Sequence, residues 1–457
     1  MTETKENKIR ATTSFSTISD AIAHFAAARD VVTSEESAVR IARLSVFDWC
    51  VVSVAGCQEP VSQMVREMVL AEGGTEDSTV IGQKRKLPPR AAALANGTSS
   101  HALDYDDTHF AYLGHPSVAV LPAAFALGEK TGSTGESFLQ AALIGLETAC
   151  RVGMWLGRQH HLKGFHSTST VGCFGAAMAS AYLLQLNVTE AHHALSLAAT
   201  RASGLKAQFG TMGKPYHAGM AAANGVESAL LAKAGFEAKL EALECDQGFA
   251  DTHSGEFVDA STVLNGLGSR YIFTDVLHKY HACCHATHAA LEALIETRDA
   301  HNLKPDAIRT IDIEVNPRYL HVCNIEEPNT GLEAKFSYRL LAAMVLARRD
   351  TASLETFADE ICADPDLLDL RDRVSVYPEP ALSDTSACAR ITLTSGSVLE
   401  ARHDISDPMT YGEREARVRT KAAAILGEVR ADQLWQLVEH ANPSSLLEWM
   451  QTNLRTP

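Results

Sequence analysis

Over roughly the first 300 residues the apolar side chains of this chain recur at helical spacing, and runs that alternate like a strand are few. The stretch TSEESAVRIARLSVFDWCVVSVAG puts Val39, Leu44, Phe47, Val51 and Val54 on one helical face. Thr33 and Glu36 stand before it at capping-box spacing, and Gly56 closes it. STGESFLQAALIGLETACRVGMWLG repeats the design, with Ser133 and Glu136 as the box. STSTVGCFGAAMASAYLLQLN reads as a helix of small residues, in which Gly172, Gly175, Ala176 and Ala179 let a neighbour approach closely. The apolar period then switches to that of a strand. IRTIDIEV (308–315) alternates Ile311, Ile313 and Val315 with Asp312 and Glu314. RVSVYP (373–378) is a second strand, and CARITLTSGSVLEARH (388–403) a hairpin turning at Ser395-Gly396. Helices over 337–349 and 352–362 lie between the strands, and the tail from about Glu413 to Leu454 is helical again. A strand-period segment enclosed by helical ones predicts a mainly α fold. Its large all-helical domain, 1–275 with a return segment 406–457, carries an inserted smaller α+β lid domain at 276–405. Two modules of unequal size predict a cleft between them.

Composition narrows the function. The 457 residues carry a formal net charge of −16, which argues against nucleic acid or an anionic membrane surface as the partner. A small anionic substrate stays open, because a site needs only a local group of cations. No apolar run reaches the roughly 18 residues of a membrane helix. The polar start MTETKENKIRATTSF reads as a frayed tail without the apolar core of a signal peptide. The ten cysteines show no CxxC and no disulfide-like spacing, so a cytoplasmic location is expected, and Asn187-Val188-Thr189 is then an idle glycosylation match.

Four stretches could carry chemistry. HALDYDDTHFAYLGHPS (101–117) crowds three histidines and three aspartates in front of an apolar helix. Pro116 suits a first helical position, which puts His115 at or near the N-cap, where the positive helix end favours a neutral imidazole and attracts an anion. The plainer alternative is a simple cap with the aspartates in a solvated loop. Calcium fits poorly, since Asp104 to His109 lacks the glycine an EF-hand loop needs. In HLKGFHSTSTVGCFGAA (161–177), His166 precedes a Ser/Thr run, and plain capping by Ser167 or Thr168 is the alternative. In GTMGKPYHAGMAAANG (210–225), Pro215 is expected to hold Lys214 extended, so that Lys214 and His217 project from a stiff turn. HKYHACCHATHAALEAL (278–294) offers His281, His285 and His288 with Cys283 and Cys284. Zinc is the obvious thought there, but adjacent cysteines share a tetrahedral site poorly and no CxxC or HExxH is present, so no metal is expected. A P-loop, a GxGxxG after a strand and a GxSxG elbow are all missing, which leaves nucleotide cofactors and that class of hydrolase without support.

Taken in order, ANGTSSHALDYDDTHF with HPS, GFHSTSTVGCFGAA, GKPYHAGMAAANG, KYHACCHATHAALEAL and PNTGLEAKFSYRLLAAMVL (328–346) resemble the MmgE/PrpD family across nearly the whole chain beyond the N-terminal tail. That family includes 2-methylcitrate dehydratase, cis-aconitate decarboxylase and iminodisuccinate epimerase. The resemblance implies a helical domain with a smaller lid, a homodimer, and catalysis without metal or organic cofactor on a small polycarboxylate. Its pocket residues fall on Asp104, Thr108, His115, His166, Lys214 and Lys279, the last at the family's interval from His288. His217 joins them as a binding residue from the same turn as Lys214. One position departs from the pattern. Where cis-aconitate decarboxylases carry a lid tyrosine this chain has Val322, with Tyr319 three residues off, which argues against decarboxylation.

The common chemical problem is a carbon acid. Taking a proton from carbon beside a carboxylate creates an enolate-like dianion, which needs cations and donors where the charge develops and a base of suitable pKa. Asp104, His115, Lys214 and Lys279 are the expected catalytic set, and Thr108, His166 and His217 the binding set. The leading expectation is a hydro-lyase resembling 2-methylcitrate dehydratase. The alternative is an epimerase of an α-substituted dicarboxylate such as iminodisuccinate. A decarboxylase or a non-catalytic carboxylate-binding protein ranks below both.

Overall fold

The computed structural model describes residues 17–28, 36–256 and 258–453. Thr33, the expected cap of the second helix, lies outside them. The fold is mainly α with one small sheet. Among the described residues, α-helices predominate between Ile18 and Lys233, the four strands fall between Ile308 and Asp404, and helices Tyr411–Leu426, Glu428–His440 and Pro443–Thr452 follow them. The last of these elements return to the first. Phe47 of the Glu36–Gly56 helix meets Trp435 edge-on at 5.1 Å, and Lys421 reaches Asp48 of the same helix at 2.6 Å with both groups buried.

The helical part is built on small residues. A Cβ added to Gly175 would lie 2.5 Å from the carbonyl of Gly145, so the Gly172–Leu183 and Gly135–Leu162 helices touch backbone to backbone, as the small-residue spacing predicts. Gly97 of the Pro89–His101 helix and Gly219 of the Gly213–Lys233 helix meet in the same way, at 2.8 Å from the added Cβ to Gly219 Cα. This second crossing fixes the distance between the helices that carry His101 and Lys214.

The sheet order is β2-β1-β3-β4, with β1 (Ile308–Val315) parallel to β2 (Val374–Pro378) and antiparallel to β3 (Ser386–Leu393), which pairs antiparallel with β4 (Val398–Asp404). Ile311, Ile313 and Val315 are buried while Asp312 and Glu314 are not, as the alternation predicts. Gly396 takes φ +90° in the β3–β4 turn, which the hairpin reading placed at Ser395-Gly396. Helices His285–Ala300 and Tyr338–Leu346 lie against the sheet and against each other.

Four local expectations are corrected. The cap of the long helix is Thr134, which accepts from Ser137 N, and not Ser133, which stands between it and Gly132, the left-handed cap of the preceding helix. The segment 352–362 forms two short 3-10 turns, Glu355–Phe357 and Asp359–Ala363, in place of one helix. Lys214 is not extended: it is the second residue of the Gly213–Lys233 helix, and Pro215 follows it in the first turn, where its missing N–H removes no helical bond. The residue capping Ser167–Thr170 is His166, whose side chain makes no cap bond, and Thr168 serves a different backbone.

Candidate active site

The 101–117 segment is not a solvated loop. It starts where the Pro89–His101 helix ends and runs to the Pro116–Thr131 helix, and it buries His101, Asp106, Asp107 and His109 almost completely. Each of these carboxylates has its own task. Asp107 caps the next helix, accepting from Ser117 N at 3.2 Å and Ser117 Oγ at 2.5 Å, and burial pushes its pKa up to about 7. Asp106 sits between two imidazoles, 2.8 Å from His101 Nδ1 and 2.8 Å from His115 Nδ1. Asp104 adopts φ +49°, a left-handed conformation that aspartate tolerates better than most side chains, and its carboxylate faces two lysines.

Those lysines arrive from far along the chain. Lys214 Nζ lies 2.7 Å from Asp104 Oδ1. Lys279 Nζ lies 3.3 Å from the same oxygen and donates to the Asp104 carbonyl. A two-residue ladder explains how Lys279 gets there: Thr108 N donates to Leu277 O at 2.9 Å and Leu277 N to Thr108 O at 2.8 Å, locking the strand-like 277–279 segment beside the loop. Burial alone would raise the pKa of Asp104, but the two ammonium groups outweigh it and hold it well below the ordinary carboxylate range. Lys279 is the mirror case: burial would lower it, and Asp104 with Asp106 hold it above its ordinary value.

His115 is the N-cap of its helix, as expected, with Pro116 at the first helical position, but its side chain makes no capping bond. Its backbone N–H donates to Thr168 Oγ1 at 3.0 Å, its Nδ1 faces Asp106, and its Nε2 lies 3.6 Å from Asp104 Oδ1. Burial draws its pKa down to about 4 against the pull of Asp106, so the imidazole is neutral at pH 7. His166 pairs with His217, Nδ1 to Nδ1 at 3.1 Å, and burial followed by repulsion from His101 and Lys214 keeps His166 neutral as well. Its ring stacks over His101 at 6.1 Å.

Six of the seven expected site residues therefore meet around one carboxylate and two imidazole pairs. Thr108 stands slightly apart, its hydroxyl 2.7 Å from His285 Nδ1, on a wall that separates this cluster from a cavity of about 490 Å³ lined in part by His278, His288 and Arg414. The mouth opens at Asp104, which keeps 31% of its side-chain surface, and at Lys214, which keeps 17%, whereas Lys279 keeps 2% and lies behind Asp104.

The sequence did not mark His101 or Asp106 as site residues, and it offered Cys284 only as a possible zinc ligand. The first two lie inside the quoted motif, but nothing in spacing distinguishes Asp106 from Asp104 and Asp107. Cys284 precedes the His285–Ala300 helix, and a hydrogen bond with Cys323, helped by Lys279, draws its thiol down to about 7.

Among the described residues, His101, Asp104, Asp106 and His115 are the one group whose donor atoms, all within 4.8 Å of one another, approach cation-holding geometry. Lys214 and Lys279 already place two positive charges on Asp104, and a third cation at that spot would be repelled. The histidines once considered for zinc go elsewhere: His281 bonds Thr351 and Glu292, and His285 bonds Thr108.

Comparison with known proteins agrees with the sequence reading. The MmgE/PrpD N-terminal domain model matches residues 20–260 and the C-terminal domain model residues 281–442. A cis-aconitate decarboxylase of Aspergillus terreus is 26% identical over 91% of this chain and 92% of its own length. The human cis-aconitate decarboxylase is 27% identical over 83% of this chain and 82% of its own. A cis-aconitate decarboxylase-like protein of Aspergillus oryzae is 34% identical over 47% of this chain and 48% of its own.

Proposed function

The chain belongs to the MmgE/PrpD family, and from that premise we propose that it is a lyase working on a small di- or tricarboxylate by carbanion chemistry that needs no metal or organic cofactor. The observation that carries this reading is the convergence of Lys214 and Lys279 on one oxygen of Asp104, 2.7 and 3.3 Å away, beside the neutral imidazole of His115. A substrate carboxylate that displaces or joins Asp104 between the two ammonium groups has its negative charge neutralised where an enolate would form.

His115 is the proposed base. Asp104 is held too acidic by its lysines to take a proton from carbon, whereas His115 presents a free Nε2 lone pair to the same space. In the first reading, a hydro-lyase, Nε2 takes the α-proton, electron density passes to the carboxylate held by Lys214 and Lys279, and the β-hydroxyl leaves as water with the proton that the His115 imidazolium gives back. Thr108, His166 and His217 then hold the substrate. Residues 276–405, which bring Lys279 and Cys284 to the cluster, act as the lid.

Decarboxylation is the second reading, favoured by the names of the relatives. The lid speaks against it. Val322 has no hydroxyl to offer, and the neighbouring Tyr319 already donates its own to Asp384 O at 2.6 Å. Proton NMR in heavy water over 2-methylcitrate, citrate, cis-aconitate and iminodisuccinate separates the outcomes. A hydro-lyase yields an alkene from a hydroxy acid, a decarboxylase consumes cis-aconitate with loss of carbon dioxide, and an epimerase only exchanges the α-proton for deuterium. Turnover of none of the four would overturn the proposal. We further propose that the protein acts as a homodimer; light scattering should return twice the mass of the chain, and a monomeric mass would refute it.

A further inference from the structure

We propose that Asp106 is a positioning residue that fixes the tautomer of His115, and that His101 is the second donor that keeps Asp106 aligned. The proposal rests on the reading of His115 as the base, but its geometry can be tested without any substrate.

The three groups form one buried line: His101 Nδ1 to Asp106 Oδ1 at 2.8 Å, and Asp106 Oδ2 to His115 Nδ1 at 2.8 Å. His101 and Asp106 are each 1% exposed, so no water competes for these contacts; the first is a hydrogen bond, and the second sets the carboxylate charge against His115 Nδ1 without an aligned hydrogen bond. A neutral imidazole carries one proton, and an ionised carboxylate only accepts. The proton of His115 therefore sits on Nδ1, facing Asp106, and the lone pair on Nε2, facing Asp104 and the open mouth. Without Asp106 either nitrogen could carry it, and the tautomer with Nε2 protonated cannot take a proton from carbon. When Nε2 does take one, the imidazolium lies 2.8 Å from a buried carboxylate that stabilises it.

His101 has a complementary part. Its Nδ1 holds the other oxygen of Asp106, which stops the carboxylate from rotating, and its ring packs edge-on against His115 with centroids 4.6 Å apart. Its Nε2 is buried and makes no hydrogen bond. The charged and titratable groups facing His115 are few: Asp104 and Asp106 from the loop, His101 from the Pro89–His101 helix, His166 from the next loop, Lys214 from the Gly213–Lys233 helix and His285 from the His285–Ala300 helix. Of these, Asp106 alone is within hydrogen-bond distance of Nδ1.

The test uses the full chain with 15N-labelled histidine, His115 assigned by comparison with His115→Gln. At pH 7 the wild type should show His115 protonated on Nδ1 and bare on Nε2. Asp106→Asn should mix the tautomers and lower kcat by about 10²–10⁴-fold with KM nearly unchanged, and Asp106→Glu should restore part of both. His101→Phe leaves the Asp106–His115 contact in place but strips the carboxylate of its other donor, so the titration of His115 should move to higher pH while its tautomer is kept. This variant decides the matter should Asp106→Asn not fold. An unchanged His115 tautomer in folded Asp106→Asn, or an unmoved His115 titration in His101→Phe, would overturn the proposal. If the tautomer behaves as stated but no polycarboxylate is turned over, the geometry stands and the assigned reaction falls.

Discussion

Single side chains in this site are defined by what they face more than by what they are. Asp104, Asp106 and Asp107 stand within four positions of one another, yet one neutralises lysines, one holds imidazoles and one caps a helix. The sequence displayed the cluster but not this division, because the division depends on the left-handed turn at Asp104 and on partners 110 and 175 residues away, at Lys214 and Lys279. Lys214, Lys279, His115, His166 and His217 were legible from motif order. Asp106 and Cys284 were not, since a carboxylate among carboxylates and one cysteine of an adjacent pair carry no distinguishing spacing. Cys284 makes a prediction at this scale. Its thiolate forms as the pH rises through about 7, against an ordinary 9.0, so iodoacetamide labelling mapped to Cys284 by mass spectrometry should climb around neutral pH. Labelling of Cys284 that begins only near pH 9 would contradict the assignment of its neighbours.

Between elements, the site depends on two helices that touch along their backbones. The Pro89–His101 and Gly213–Lys233 helices end at His101 and begin beside Lys214, and their crossing is set by Gly97 and Gly219. A Cβ on Gly219 would lie 2.3 Å from the Leu94 carbonyl and 2.3 Å from Thr98 Oγ1. The Leu94 carbonyl is backbone and cannot yield without moving its helix. Gly219→Val should therefore cost about 1–3 kcal/mol or more in urea unfolding and reduce turnover as well, because the helices must part. Unchanged stability would mean that this crossing does not govern their spacing. Periodicity could announce both helices, and did so for the helical part at large. It could not say which glycines are contact points, since the residue a glycine meets belongs to another part of the chain. The strand segment was more legible: a hydrophobic pattern of period two carries its register and its buried face on its own.

Across the whole molecule, the C-terminal helices close the fold on the N-terminal ones through a buried ion pair. Lys421 Nζ lies 2.6 Å from Asp48 Oδ1 and donates to the Tyr105 carbonyl at 2.6 Å, one residue from Asp104. The far end of the chain thus helps hold the loop that carries Asp104 and Asp106. Lys421→Ala strands the Asp48 carboxylate in the interior and should destabilise the protein by about 3–5 kcal/mol, whereas Lys421→Met combined with Asp48→Leu should recover much of that loss. Thermal and chemical unfolding of the two variants check this, and equal stability of both would refute a role for the pair. Helix after helix, interrupted by one segment of strands, was readable from the sequence. The return of the last helices to the Glu36–Gly56 helix was readable only as topology; the ion pair that secures it joins residues 373 positions apart.

The central claim is that Lys214 and Lys279 act on one developing negative charge. A double-mutant cycle on kcat/KM for the polycarboxylate that is turned over, with Lys214→Ala, Lys279→Ala and both together, tests it most directly. Each single change should cost about 10²–10³-fold, and the double should cost clearly less than the product, because the two ammonium groups share one partner. Losses that multiply in full, or a single variant with wild-type kcat/KM, would show that the lysines do not share a substrate charge.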